Sequence, residues 1–366
     1  ASGGIAVSGV ESVIGTSGAD SLVYQSGGTV SVSAIETVTG TTGTGDVAAI
    51  MAAGATTLSV SGIESVLGTT DQTEVVRMMQ TGNLGASNVE TVVGSATAGD
   101  VVRLLGDGNL TVSGVETAIG STGNSDALTL LNSGVAVSAF ESVTGTASAD
   151  TVTMLGTDLS VSSVETVLGS SGVDTLNYLA NGTVAVSGVE VVVGLTSAGD
   201  VTRMLSTGAL SASEIESVIG TTGTDTLTLV GSGVSASVSA IETVIASSAG
   251  GDSVRLLAAG TLGVSAVETV VGTLDADTAR MLASSATTLS VSNVETVLGT
   301  SAYADTVEMM SGSALGVSNV ETVLGATGTV ETVSLLGATN LEVSNVDVVL
   351  GSSGADTLTY LGGGTV

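Results

Sequence analysis

One phrase recurs through the whole chain. It reads Val or Ile, Glu, Thr or Ser, Val, any residue and Gly, and its acid, the phrase acid, returns about every 26 residues. A unit this short cannot bury a core alone, so neighbouring repeats must stack on one another. The sequence therefore predicts a single repeat domain over residues 1–366 with no separate domains. The 14 phrase acids are Glu11, Glu36, Glu64, Glu90, Glu116, Glu141, Glu165, Glu190, Glu216, Glu242, Glu268, Glu295, Glu321 and Asp347.

A second acid, the turn acid, follows each phrase acid by nine or ten residues at the end of a Gly- and Ser-rich stretch. A serine also precedes every phrase acid by three residues. If each repeat forms one coil, equal residues lie above one another, Glu on Glu and Asp on Asp. The turn acids are Asp20, Asp46, Glu74, Asp100, Asp126, Asp150, Asp174, Asp200, Asp225, Asp252, Asp277, Asp305, Glu331 and Asp356.

The residues between these acids alternate as β-strands do. After the turn acid, the second and fourth residues are mostly apolar, as at Leu176 and Tyr178 or Val254 and Leu256, and the third is usually polar. A period of two indicates a strand with one buried face. Short strands that recur every 26 residues predict an all-β fold, a parallel β-solenoid of about 14 coils with Val, Ile and Leu stacked inside.

The Ser-x-x-Glu segment has a second interpretation. Ser followed three residues later by Glu is a helix capping signature, and Ile63, Val66 and Leu67 fit one helical turn closed by Gly68. A strand-plus-helix repeat, as in leucine-rich repeats, is the alternative. The segment is barely two turns long and rich in β-branched residues, which favours the strand.

Composition excludes several classes of function. The chain has no Cys, His, Pro or Trp, and its five Arg stand against 35 Asp and Glu, which gives a net charge of −30. Disulfides, Cys or His metal sites and Ser-His nucleophilic pairs are therefore impossible. The negative charge repels nucleic acid, and no apolar run approaches the length of a membrane span. We expect no enzyme, no nucleic-acid partner and no membrane insertion.

Four turns carry the pattern Gly-x-x-Gly-x-Asp, at residues 15–20, 169–174, 220–225 and 351–356. With the Val-Glu-Thr-Val phrase before them, they resemble the RTX or haemolysin-type calcium-binding repeats of bacterial surface-layer and adhesin proteins. The resemblance implies type I secretion, an extracellular location on a bacterial cell surface, and calcium at Asp20, Asp174, Asp225 and Asp356. The family's coil is shorter than the predicted one and carries two such turns.

Two roles for the turn acids stay open. Stacked unit charges 4.8 Å apart repel by about 0.9 kcal/mol even in water, so two acid ladders favour a bound cation such as calcium. Alternatively, each turn acid caps its turn by accepting hydrogen bonds from nearby backbone N–H groups, and each phrase acid points into water.

The five Arg share one position. Arg77, Arg103, Arg203, Arg255 and Arg280 each follow a turn acid by three residues, at the outward position of the strand. With one repeat per coil they lie on one face, two pairs of them in adjacent coils. They either relieve the acidic field or form an interface with the acids of another subunit.

These observations predict a structural extracellular repeat protein. It forms a filament, a surface layer or a stalk on a bacterial cell through stacking of β-solenoid subunits into a homo-oligomer. Because the chain begins and ends within repeat sequence, we expect either that copies stack end to end or that the chain is a segment of a longer repeat array. The alternative is an RTX-like calcium-binding adhesin segment of a larger secreted protein.

Overall fold

A computed structural model describes residues 3–51, 56–70, 73–123, 125–197, 199–247, 250–282 and 285–362. The chain divides into two compact units, Ala1–Ala180 and Asn181–Val366, and each is described on its own. The described residues form strands and turns and no helix, so the strand-plus-helix alternative is wrong. No segment in these ranges is therefore a candidate for a membrane-spanning helix.

Each repeat contributes three strands. A type-a strand follows the turn acid, a type-b strand ends at the serine before the phrase acid, and a type-c strand follows the phrase acid. The three strands that follow Asp225 are Thr226–Leu229, Ser235–Ser239 and Thr243–Ile245. Gly- and Ser-rich turns separate them, as the sequence predicts.

The strands of the first unit are β1 Gly3–Val7, β2 Ser12–Ile14, β3 Asp20–Tyr24, β4 Thr29–Ser33, β5 Thr37–Thr39, β6 Val47–Ile50, β7 Thr57–Ser61, β8 Ser65–Leu67, β9 Val75–Met78, β10 Asn83–Ser87, β11 Thr91–Val93, β12 Val101–Leu104, β13 Asn109–Ser113, β14 Thr117–Ile119, β15 Ala127–Leu130, β16 Val135–Ser138, β17 Ser142–Thr144, β18 Thr151–Met154, β19 Asp158–Ser162, β20 Thr166–Leu168 and β21 Thr175–Tyr178.

The strands of the second unit are β22 Thr183–Ser187, β23 Val191–Val193, β24 Val201–Met204, β25 Ala209–Ser213, β26 Ser217–Ile219, β27 Thr226–Leu229, β28 Ser235–Ser239, β29 Thr243–Ile245, β30 Ser253–Leu256, β31 Thr261–Ser265, β32 Thr269–Val271, β33 Thr278–Met281, β34 Thr288–Ser292, β35 Thr296–Leu298, β36 Thr306–Met309, β37 Ala314–Ser318, β38 Thr322–Leu324, β39 Thr332–Leu335, β40 Asn340–Ser344, β41 Val348–Leu350 and β42 Thr357–Tyr360.

Within each unit the odd-numbered strands form one parallel sheet and the even-numbered strands form the other. Leu210 of β25 pairs with Leu227 of β27, Leu227 with Val244 of β29, and Val244 with Val264 of β31. Each step along the sheet therefore advances the chain by 17 to 20 residues. The prediction of a parallel β-solenoid is confirmed.

The predicted coil count is wrong. A repeat has three strands but a coil closes after two, so the described chain winds through about 19 coils of about 18 residues instead of 14 coils of 26. Equal positions of adjacent repeats consequently lie on opposite sheets. On one sheet they recur every second repeat, three coils apart. The predicted ladders of Glu on Glu and Asp on Asp do not form, and the coil is as short as that of the family the sequence resembles.

The core is a double column of aliphatic side chains between the two sheets. Leu210, Leu227, Val244 and Val264 expose at most 3 % of their surface. The alternating positions that the sequence marks as inward, such as Leu176 and those aligned with it, are buried in every type-a strand except β42. Each aliphatic side chain that leaves water in this way stabilises the fold by about 1.5–3 kcal/mol.

A left-handed residue closes each corner, and a glycine accompanies it in every repeat except that of Ala246. The residue between the serine and the apolar residue of the phrase has a φ of 51° to 65°, for example 52° at Ala240 and 52° at Asn293. The carbonyl of Ala240 lies so close to Gly220 that a Cβ there would stand 1.9 Å from the oxygen. At this corner the Gly of the phrase is thus a packing requirement.

Candidate functional site

The turn acids are buried. From Asp20 to Glu331 none of the 13 exposes more than 8 % of its surface, and Asp356 is half-buried. A buried carboxylate is costly unless hydrogen-bond donors surround it. Each of these buried carboxylates therefore requires hydrogen-bond donors or a cation around it.

The turn around Asp225 shows the arrangement. The carboxylate accepts hydrogen bonds from the N–H of Gly208 at 2.9 Å, the N–H of Thr221 at 2.6 Å and the hydroxyl of Thr221 at 2.7 Å. The same hydroxyl accepts a hydrogen bond from the N–H of Gly223 at 3.0 Å. Asp225 thus joins its own turn to the start of the type-b strand in the preceding coil.

The other three predicted calcium residues are held in the same way. Asp20 accepts from the N–H of Gly3 at 2.9 Å and from the hydroxyl of Thr16 at 2.8 Å. Asp174 and Asp356 each accept from the hydroxyl of the serine four residues earlier, at 2.9 and 3.0 Å. Hydrogen bonds from the backbone and then the hydroxyl of Thr16 hold the pKa of Asp20 below its usual value, against the opposing effect of burial.

The structure does not bring the four predicted residues together. Each lies in its own turn, and across the described ranges no three Asp or Glu side chains group closely enough to hold one metal ion. The contacts correspond to the capping role that the sequence left open. Calcium binding at these residues stays a prediction.

The phrase acids do not simply point into water. The N–H of Asp225 donates to Oε2 of Glu242, the phrase acid of the next repeat, at 2.7 Å. Glu216 accepts from two successive N–H groups, those of Gly199 at 3.0 Å and Asp200 at 2.8 Å. These phrase acids therefore fasten their coils to the turn of the coil before.

One carboxyl pair differs from the rest. Glu74 replaces the usual Asp, and its longer side chain reaches the carboxyl group of Glu90, whose Oε2 accepts the N–H of Glu74 at 3.0 Å. Burial and the neighbouring Glu74 carboxyl raise the pKa of Glu90. Burial also acts to raise the pKa of Glu74, but hydrogen bonds from Thr69, Glu90 and Thr73 outweigh it and lower that pKa. The two groups favour sharing one proton.

A few buried carboxylate oxygens have no donor in the described part of the chain. They are Oδ1 of Asp46, Asp150 and Asp305 and Oε2 of Glu331. In other repeats the equivalent oxygen accepts the N–H of the residue before the type-b strand, as Asp225 does from Gly208. A buried oxygen of this kind normally meets an ordered water or a cation. None of the four belongs to the turns that resemble the calcium family.

The five Arg are exposed, as predicted, but they do not share one face. Arg77 lies on β9 of the odd sheet and Arg103 on β12 of the even sheet of the first unit. In the second unit Arg203 and Arg255 lie on β24 and β30 of the even sheet, and Arg280 lies on β33 of the odd sheet. The prediction of a common face is wrong because a type-a strand changes sheet with every repeat.

A set of half-exposed apolar residues was missed at the sequence level. The residue directly after the type-a strand is Leu, Met or Val in every repeat but the first, which has Gln25, and exposes 40 to 55 % of its surface. Its fixed place, five residues after the turn acid, was the available signal. Successive members alternate between the two sheets, as the type-a strands do. The set consists of Met51, Met79, Leu105, Leu131, Leu155, Leu179, Leu205, Val230, Leu257, Leu282, Met310, Leu336 and Leu361.

Comparison with known proteins adds no relative. No protein-family model, no curated protein sequence and no solved structure matches the chain. The resemblance to RTX repeats thus rests on the four turns alone, and membership in that family stays a prediction.

Proposed function

We propose that the protein is a structural component of a bacterial cell surface, a filament, surface layer or stalk built from stacked β-solenoid subunits. The regularity of the two units supports this proposal. The same three strands and the same capped turn recur from one repeat to the next, so a further coil adds through contacts that the fold already uses. The extracellular location and type I export are supported by the resemblance alone.

One observation carries the stacking. Inward side chains within a unit, such as Leu227 and Leu229 of β27, are 0 % and 2 % exposed because the strands of the coils on either side cover them. Leu358 holds the same inward position on β42. We propose that a second copy adds its own strands to an edge of the sheet through the same contacts.

Electron microscopy of the purified chain, with fibre diffraction, tests this proposal. We expect fibres or sheets with a spacing of about 4.8 Å along the stack. Leu358→Glu places a charge in the stacking surface and abolishes them, whereas Leu274→Glu, at a side chain that is 96 % exposed, leaves them intact. A wild-type protein that sediments only as a 35.0 kDa monomer at high concentration would overturn the proposal.

The alternative function is a calcium-binding adhesin segment of a larger secreted protein. Its support is the four RTX-like turns, together with the donor-free oxygens of Asp46, Asp150 and Asp305 as positions with spare acceptor capacity. A ligand that binds only the folded state raises its stability. This function expects a higher melting temperature in millimolar calcium than in chelator, and equal temperatures contradict it.

A further inference from the structure

The even sheet of the second unit has a neutral outer face in a strongly acidic protein. The described residues of its 11 strands include two Arg and two Glu and no other charged side chain: Arg203, Arg255, Glu308 and Glu342, all exposed. The chain as a whole carries a charge of −30. This face therefore meets a second acidic copy with little like-charge repulsion.

Arg255 and Glu308 do not pair with each other within the chain. Arg255 on β30 and Glu308 on β36 lie three coils apart on the same sheet, which corresponds to about 14 Å. That separation exceeds the Debye length of about 8 Å at physiological ionic strength. The contact of Glu308 with a protein group is a long hydrogen bond of 3.4 Å from the hydroxyl of Ser290. Arg255 and Glu308 thus remain available to groups outside the chain.

An apolar strip runs beside the charges. Leu205, Leu257, Met310 and Leu361 follow the type-a strands of this sheet and are 48 %, 50 %, 53 % and 52 % exposed. The half-buried residues Ile219, Val271 and Leu324 at the ends of the type-c strands pair with Arg203, Arg255 and Glu308. The face measures roughly 50 Å by 16 Å, or about 800 Å² for one copy, which matches the area that each partner contributes to a stable interface.

The order of the charges along the sheet fits a two-fold axis. From β24 onward the face presents Arg, Arg, Glu and Glu. An axis parallel to the strands, between β32 and β34, places β30 opposite β36 of a second copy. The strand register aligns Arg255 with Met310, so Glu308 of the second copy stands two residues, about 7 Å, along the strand from Arg255. The long side chains of Arg255 and Glu308 span that distance, and by symmetry the pair occurs twice.

We propose that two copies of the chain bind each other face to face through the even sheet of the second unit, in an antiparallel two-fold contact with Arg255 paired to Glu308 of the other copy. This contact does not require end-to-end stacking. It joins solenoids side by side, whereas stacking extends them. Together the two contacts turn a row of subunits into a paired filament or a layer.

The test is a charge exchange measured by sedimentation equilibrium in the Leu358→Glu background, which removes stacking from the measurement. Arg255→Glu places Glu near Glu308, and Glu308→Arg places Arg near Arg255. We expect each to raise the dimer dissociation constant at least about tenfold. The double variant Arg255→Glu, Glu308→Arg restores the pair and returns the constant to within about threefold of the parent.

The matched control is Arg280→Glu. Arg280 occupies the position of Arg255 in the next repeat but lies on the odd sheet, so its reversal leaves the dimer unchanged. Circular dichroism confirms that each variant is folded. A monomeric parent, an equal effect of Arg280→Glu, or a double variant as weak as the single ones would each overturn the contact. Stacking is read independently, from fibres of the chain with Leu358 intact.

Discussion

Removal of one turn carboxylate tests whether the turn acids stabilise the solenoid by capping its turns. In Asp225→Ala the N–H groups of Gly208 and Thr221 lose their acceptor, at former distances of 2.9 and 2.6 Å. Asp225 is fully buried, so water does not replace it without opening the turn. The hydroxyl of Thr221, which is half-buried, retains access to solvent. Two orphaned donors therefore determine the effect.

The magnitude follows from those two groups. A fully buried donor left without a partner costs about 1–3 kcal/mol, so two cost about 2–6 kcal/mol. Gly208 is exposed and Thr221 half-buried, so hydration of their N–H groups keeps the loss toward the lower end of this range. Relief of the desolvation of a buried carboxylate offsets part of this loss. We expect Asp225→Ala to lower the free energy of unfolding by about 2–4 kcal/mol. Asp225→Asn keeps one acceptor oxygen but presents an NH₂ to a donor, and we expect about half that loss.

The assay is urea unfolding followed by circular dichroism in chelator, which isolates the cap from any bound cation. Repeat proteins open locally, so hydrogen exchange of the peptides that contain Gly208 and Thr221 locates the loss. Asp275→Ala, an exposed acid in another turn of the same unit, is the control. If Asp225→Ala unfolds within about 0.5 kcal/mol of this control, the carboxylate is not a cap and the reasoning is refuted.

Three further outcomes are expected. Gly220→Ala brings a Cβ to 1.9 Å from a backbone oxygen and lowers stability by more than about 2 kcal/mol, whereas Gly208→Ala, with no atom within 4 Å, changes it little; similar urea midpoints contradict this. In Glu90→Gln an amide N–H donates to the carboxylate of Glu74, so we expect the free energy of unfolding at pH 7 to rise by about 1 kcal/mol and this increase to shrink at pH 4. A lower free energy of unfolding at pH 7 is the contrary result. Because the pKa of Asp20 is lowered, its carboxylate contributes its full stabilisation above the ordinary value of 3.8 and loses it as the pH falls below that value. Asp20→Asn therefore makes the free energy of unfolding fall less steeply with decreasing pH in the acid range. An unchanged acid dependence argues against this role of Asp20.

The strands and their buried faces were predictable because alternation is a local property. Leu176 and Tyr178, marked as inward from their spacing, are 0 % and 3 % exposed. The length of a coil was not predictable from the 26-residue period. A repeat contains three strands, and the period alone does not show after how many strands the chain completes one turn of the solenoid. The type-b and most type-a strands share one pattern, two inward apolar residues separated by one outward residue, and that likeness was the signal that they stack on each other.

The acids were recognised but their partners were not. Their spacing suggested columns of equal charge, yet the turn acid of one repeat meets the phrase acid of the next, as Asp225 meets Glu242. That contact joins residues 17 apart and appears only once the coil length is known. The left-handed corner was readable, since the residue after each serine is often Gly or Asn, as at Asn293 and Asn319.

Because a repeat spans one and a half coils, the number of repeats has a parity. Loss or gain of a single repeat transfers every following side chain to the opposite sheet, so that Arg255 and Glu308 leave the even sheet for the odd one together. Loss or gain of two repeats restores the original side and shifts the surface by three coils. A change in chain length therefore keeps each side chain on its original sheet only when it adds or removes about 52 residues, twice the repeat of about 26. Only such steps leave unchanged the surface that neighbouring molecules contact.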